Sequence, residues 1–202
     1  MKAEEVEIES LERQNMEPVT DVMIDIETLG VRPGCAVLAI GGVAYDPRKP
    51  WVPGEGQEIS KAHRFVRAAS LESSLEAGLV IEGGAMRFWL RQPREAQDEA
   101  FKGTDSLARA GMDFIQWFRG LPASGPVNVW AHGAPFDPGI LGYALEAVGL
   151  DVPWEFRNIR DTRTAFDMAG VSYKGTHHTV EQDCLQQCEH VCTAFARLGL
   201  HG

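Results

Sequence analysis

In the run Ile24-Asp25-Ile26-Glu27-Thr28-Leu29-Gly30, two carboxylates stand two residues apart in an apolar stretch. Extended backbone alternates its side chains, so Asp25 and Glu27 share one face. Side by side they repel each other, and an apolar setting adds a desolvation penalty. A hard divalent cation that prefers oxygen ligands offsets both, so a magnesium or manganese site is the simplest chemistry for this pair. The competing reading is a strand end where both acids reach water. A third acid, Asp137, follows Trp130-Ala131-His132-Gly133-Ala134-Pro135-Phe136, where a strand gives way to a glycine turn and a helix start. Asp at such a place serves equally as a helix cap, and His132 reads either as a site group or as a loop histidine with no task. The fourth acid, Asp183, closes Thr176-His177-His178-Thr179-Val180-Glu181-Gln182-Asp183 at the opening of the last helix. Thr179 and Gln182 have the spacing of a capping box, which sets Asp183 in or just past the first turn with His178 immediately before the helix. An imidazole with an ordinary pKa near ~6.5 suits a general base at neutral pH; a solvated histidine pair is the plainer account of His177 and His178.

These groups need a frame. Val22-Met23-Ile24 opens an apolar strand that carries Asp25 and Glu27, and residues 36–45 read as a second, largely buried strand. Three prolines and two glycines make residues 46–56 a loop, and residues 58–67 form a third strand. From about Ser70 to Arg119 the apolar spacing is helical, until Gly120 and Pro122 stop it. Residues 127–131 are a fourth strand, residues 137–148 a helix, residues 156–159 a fifth strand, and residues 162–168 a short helix. The last helix runs from about Thr179 to Leu198 and turns Cys184, Cys188, Val191 and Phe195 towards a core. Strands, helices, then strand–helix–strand–helix is an α/β pattern with a mixed sheet.

At 202 residues the chain makes one domain and buries a core without disulfides or a structural metal. Residues 1–20 hold six glutamates against one lysine and one arginine and read as a solvated acidic tail; the fold proper occupies residues 21–202. No run is apolar enough for a membrane span, the first residues lack a signal peptide's features, and the spacing of the four cysteines suits core packing. Reduced thiols in the cytoplasm are therefore the expectation, with no membrane partner. The net charge of −10 argues against a broad basic face for long nucleic acid. The tail carries −4 of it and the four singled-out acids another −4, which leaves a near-neutral body.

The ordered set of a DxExxG strand, an FD pair after the fourth strand and HxxxxD on the last helix resembles the motifs of the DEDDh superfamily of 3′–5′ exonucleases. Ile40-Gly41-Gly42-Val43-Ala44, the block Met86–Gln92 and the segment Pro153–Thr164 sharpen this into a likeness to the RNase T-like exonucleases of phages and some bacteria. The likeness spans about residues 20–197 and implies an RNase H-like α/β fold, a mixed five-stranded sheet flanked by helices. Position by position, Asp25, Glu27, Asp137 and Asp183 resemble the metal-binding carboxylates, for two divalent cations (Mg²⁺ or Mn²⁺), and His178 resembles the general base. Thr28 and Leu29 would contact the terminal nucleotide, Leu29 by packing on the base.

The implied partner is nucleic acid with a free 3′ end, single-stranded or a 3′ overhang, RNA or DNA, cut to 5′-mononucleotides. A homodimer is a further partner option, since relatives of this kind are frequently dimers. Arg157, Arg160, Arg163 and Lys174 are candidates for phosphate contacts, with ion pairing to Glu155, Asp161 and Asp167 as the alternative. Phe136 is a candidate for stacking on a base, whereas Trp89 reads as core. Two departures stand out: His132 where the subfamily often has Asn, and Val180 where a small residue is usual. A non-catalytic RNase H-like binding module would be expected to lack one of the five groups, and all five are present.

Overall fold

The computed structural model describes residues 18–51, 63–175 and 179–200. Most of the acidic tail, the first part of the expected third strand, and His177 with His178 therefore lie outside the described residues. A five-stranded sheet forms the centre, built from β1 (Asp21–Thr28), β2 (Val37–Tyr45), β3 (Arg64–Ala68), β4 (Asn128–Ala131) and β5 (Ile159–Asp161) in the order β3-β2-β1-β4-β5. β2 runs antiparallel to both β1 and β3, while β4 lies parallel to β1 and β5 parallel to β4. Buried Asp21 starts β1 and accepts hydrogen bonds from Trp130 Nε1 (2.6 Å) and Asn128 Nδ2 (3.1 Å) on β4, which locks the Asp21–Asn128 register.

Alternation along β1 decides which face carries the chemistry. Val22, Ile24 and Ile26 point into a core shared with α4 (Leu107–Arg119) and α5 (Asp137–Ala147). On that side also pack the short helices α1 (Leu71–Glu76), α2 (Gly83–Trp89) and α3 (Arg94–Phe101) that link β3 to α4. Met23 points the other way, into a second core made with α6 (Thr162–Ala169) and α7 (Val180–Arg197). Asp25 and Glu27 continue the Met23 side, so both carboxylates face α7. The cysteine stripe behaves as its spacing predicts: Cys184, Cys188 and Cys192 are buried free thiols on the sheet-facing side of α7.

Two adjacent glycines let helices close on both faces of β2. A Cβ on Gly41 would lie 2.6 Å from Val180 Cβ and 3.0 Å from the Val180 carbonyl oxygen, and one on Gly42 would lie 2.8 Å from the Trp117 ring. Gly41 is also the register partner of Asp25. The start of α7 therefore seats directly beside the carboxylates because position 41 has no side chain, and the bulkier Val180 is accommodated there. Gly41→Ala forces a branched side chain and a backbone oxygen to move, so its melting temperature is expected to fall by roughly 3–10 °C. An unchanged melting temperature would show that α7 does not depend on this approach.

Three local expectations are corrected. Residues 156–158 form a 3₁₀ turn, and the fifth strand begins only at Ile159. Phe156 is 81% exposed, as an aromatic in a surface turn rather than in a strand. Thr179 is the N-cap residue of α7 but makes no side-chain cap bond, so the capping box does not form. Asp137 is not a cap either; Phe136 holds that place and Asp137 is the first helical residue.

Candidate active site

Asp25 and Glu27 come from the last turn of β1's alternation, and Asp183 comes from the first turn of α7. The carboxylate oxygens of these three lie within 4.8 Å of one another, with Asp25 and Glu27 half-buried and Asp183 buried. Asp137 stands beside this trio from the start of α5, buried, with its carboxyl against the backbone of Ile26. Three of the four expected carboxylates are thus brought together and the fourth adjoins them. His178 lies outside the described residues; in sequence it directly precedes Thr179, which stands at the N-cap position of α7.

The crowding is visible in the acids' proton affinity. Burial holds the Asp25 carboxyl well above the usual carboxylate range, and the charges of Asp137, Glu27 and Asp183 push the same way. Glu27 is raised to about 8, by burial first and then by Asp183 and Asp137. Burial raises Asp137 to about 7, even though backbone contacts and the Arg163 guanidinium pull it down. Several hard oxygen donors that are costly to ionise in each other's presence form a donor set suited to a divalent cation. Among the described residues this is the group whose ligand atoms converge closely enough to hold an ion.

The walls of the site follow from the sheet. A bulge between Glu27 and Thr28 breaks the β1–β2 register immediately after the second carboxylate. The indole of buried Trp89 donates to the Thr28 carbonyl at 2.9 Å and pins the chain there. Glu27 faces Ala39, and Ala39 faces Ala68, so small side chains pave the sheet from the carboxylates to its edge. Beside Glu27 this leaves a cleft of about 300 Å³, lined also by Lys102, Thr179 and Glu181. Arg64 on β3 pairs with Glu181 at 3.0 Å and ties the start of α7 to the far strand.

The bulge changes what the residues after Glu27 can do. Leu29 is fully buried in the core. The Thr28 hydroxyl donates to the Gly30 carbonyl at 2.7 Å. Phe136 is half-buried against the core. Of the basic candidates, exposed Arg157 pairs with Glu155 at 3.1 Å and lies over the Phe156 ring. Arg160 donates to the carbonyls of Arg157 and Ile159. Arg163 alone among these three is directed at the site: its guanidinium lies against Gly133 and bears on both Asp137 and His132.

Two further features lie behind the carboxylates. His132 Nδ1 lies 2.8 Å from Thr162 Oγ1 and its ring packs 4.7 Å from Tyr173; burial, then Arg163, lowers its pKa. Asp161 caps α6 through Thr164 N and also accepts from Ala134 N at 2.7 Å, which fixes the turn leading to Asp137. Asp–x–x–Thr at a helix start is the signal that could have shown the first contact; the second joins residues 27 apart in the chain.

The family model for the 3′–5′ exoribonuclease Rv2179c-like domain matches residues 20–196. Comparison with curated proteins found no match. Among solved structures, S. pombe Pop2p in its Mg²⁺- and Mn²⁺-bound form superimposes with a TM-score of 0.55 at 13% identity, over 95% of this chain and 89% of that one. E. coli Exonuclease I in complex with a dA16 oligonucleotide gives 0.58 at 14% identity over 90% of this chain, which spans only 42% of that protein. The nuclease domain of 3′hExo, a DEDDh family member bound to rAMP, gives 0.54 at 10% identity, over 89% of this chain and 94% of that one. These likenesses establish the RNase H-like exonuclease fold. Among the described residues no helix is long and apolar enough to cross a membrane. Matched over nearly its whole length, the chain belongs to the Rv2179c-like 3′–5′ exoribonuclease domain family and is a 3′–5′ exonuclease.

Proposed function

We propose that this chain removes nucleotides one at a time from the 3′ end of single-stranded or 3′-overhang RNA, releasing 5′-mononucleotides, with DNA as a second substrate. The observation that carries this reading is the convergence of Asp25, Glu27 and Asp183 within 4.8 Å at the end of β1. Asp25, Glu27 and Asp183 would hold one divalent cation, Mg²⁺ or Mn²⁺, and Asp25 with Asp137 a second. Bound there, such cations supply Lewis acidity towards a water and towards the phosphodiester. His178 is the proposed general base that takes a proton from the attacking water. The bond from phosphorus to the 3′-oxygen of the preceding nucleotide breaks, so the phosphate leaves on the 5′ side of the released nucleotide. The cleft between Glu27 and Lys102 would admit that terminal nucleotide, and Arg163 would hold a phosphate oxygen. The exonuclease domain is placed at residues 21–202, with the acidic residues 1–20 outside it.

Time courses on end-labelled single-stranded RNA, single-stranded DNA and a 3′-overhang duplex test the reading. The expected result is a ladder of 5′-mononucleotide release that chelation stops; internal fragments, or no release from any substrate, would refute it. Arg163→Ala is expected to weaken binding of an RNA oligonucleotide and to flatten the slope of log affinity against log salt by about 0.7, the loss of one phosphate contact. Arg157→Ala, already paired with Glu155, should leave that slope unchanged.

A further inference from the structure

Behind the carboxylates lies a support that none of the motifs contains. Gln187 sits four residues after Asp183, on the same side of α7, and is 3% exposed. Its Nε2 donates to Asp25 Oδ1 at 3.3 Å. Its Oε1 is buried without a hydrogen-bond partner, and so is the hydroxyl oxygen of Tyr173, on the segment between α6 and α7. Gln187 is the side chain whose hydrogen-bonding group bears on that phenol. The Tyr173 ring is wedged in place, 4.7 Å from His132, 5.5 Å from Phe166 and 5.2 Å from His190.

The chemistry of these atoms is complementary. A carboxamide whose amide end is committed to a carboxylate has an acceptor oxygen left, and a phenol has a proton to donate. A buried donor or acceptor left unmet costs its desolvation in full. A small adjustment of the two side chains would pair the Tyr173 hydroxyl with Gln187 Oε1 and satisfy both. Asp25, meanwhile, stands among acids, and the Gln187 amide gives its Oδ1 a donor.

We propose that Gln187 is the positioning residue for Asp25, and that Tyr173 holds Gln187, so that a Tyr173–Gln187–Asp25 chain aims the carboxylate shared by the cations. This rests on the metal-binding reading of the carboxylates. Outer hydrogen bonds of this kind orient metal ligands, and their loss commonly weakens metal affinity by 10–100-fold.

The test is Mn²⁺ binding to the full chain by titration calorimetry, with thermal unfolding in EDTA alongside. Gln187→Met, which keeps length but neither donates nor accepts well, is expected to weaken Mn²⁺ binding by about 10–100-fold while the melting temperature in EDTA shifts little. Tyr173→Phe should weaken it on the order of threefold alone and not at all when Gln187 is already Met. Mn²⁺ affinity of Gln187→Met within twofold of wild type overturns the proposal. So does a Tyr173→Phe effect of the same size in both backgrounds, or, should Gln187→Met not fold, unchanged affinity in Tyr173→Phe. If the wild type and Asp25→Asn bind Mn²⁺ alike, the carboxylate reading itself has failed, which no Gln187 result alone can show.

Discussion

Asp25→Asn is expected to lower nucleotide release by at least about a thousandfold and, in EDTA, to raise the melting temperature. The first effect follows from the place of Asp25 at the centre of the acid cluster, within reach of Glu27, Asp137 and Asp183. Cations held there are worth several kcal/mol to phosphodiester hydrolysis, and about 1.4 kcal/mol is a factor of ten in rate. The second effect has the same cause with opposite sign. Without metal, Asp25 must either stay ionised among like charges or keep a proton that the unfolded chain has released; an amide of the same shape avoids both costs and can still accept from Gln187. Most core substitutions lower both activity and stability, and a merely misfolded variant would do the same. Loss of activity with gain of stability is specific to a charge kept for function. Turnover within tenfold of wild type would remove Asp25 from the metal site.

The period of β1 made half of this site readable in advance. Alternation puts Asp25 and Glu27 on one face whatever packs above them, and a helix opening at Thr179 puts Asp183 in its first turn. Strand and helix identities were legible for the same reason, because apolar spacing of two or of three to four residues states which face is covered. What fails is what depends on contacts across the chain. Phe156 looked like strand material by its type, but the strand starts at Ile159, where pairing with Val129 begins. The burial of Leu29 is likewise not marked by its place after the motif, where a bulge after Glu27 and a bond from Trp89, 61 residues away, to Thr28 set the course of the chain.

The depth at which α7 sits was equally hidden. Val180 reads as a departure from the small residue usual at its position, and only its packing on Gly41, across the sheet, shows how it is housed. Gln187 reads as one more polar residue on a helix whose buried side is marked by cysteines. Nothing local distinguishes a glutamine that reaches Asp25 from one that reaches water. The arginines near β5 show the same limit: three similar side chains within seven residues meet Glu155, backbone carbonyls and the site respectively.

The metal-free protein is expected to lose stability as pH rises from about 5 to about 8.5, against the usual behaviour of carboxylates. Glu27 lies at about 8 instead of 4.5, raised chiefly by burial, and Asp137 at about 7 instead of 3.8. The folded chain therefore keeps protons that the unfolded chain has already released, and stability falls with pH wherever the unfolded state binds fewer protons. This contribution is whole below the ordinary carboxylate range and is lost as pH climbs through about 7 and 8. For Glu27 alone it is on the order of 4 kcal/mol, or a melting temperature lower by roughly 10 °C. Asp161 has the opposite sign: hydrogen bonds from Ala134 and Thr164, with Arg163, outweigh burial and hold it low, so its share is lost only in more acid solution. Divalent cations bind the ionised acids, so Mn²⁺ should flatten the decline and raise the melting temperature most at the alkaline end. Thermal unfolding at pH 5, 7 and 8.5, in EDTA and in Mn²⁺, measures both. A melting temperature in EDTA that is flat or rising across this range would mean that the acids are not crowded as described.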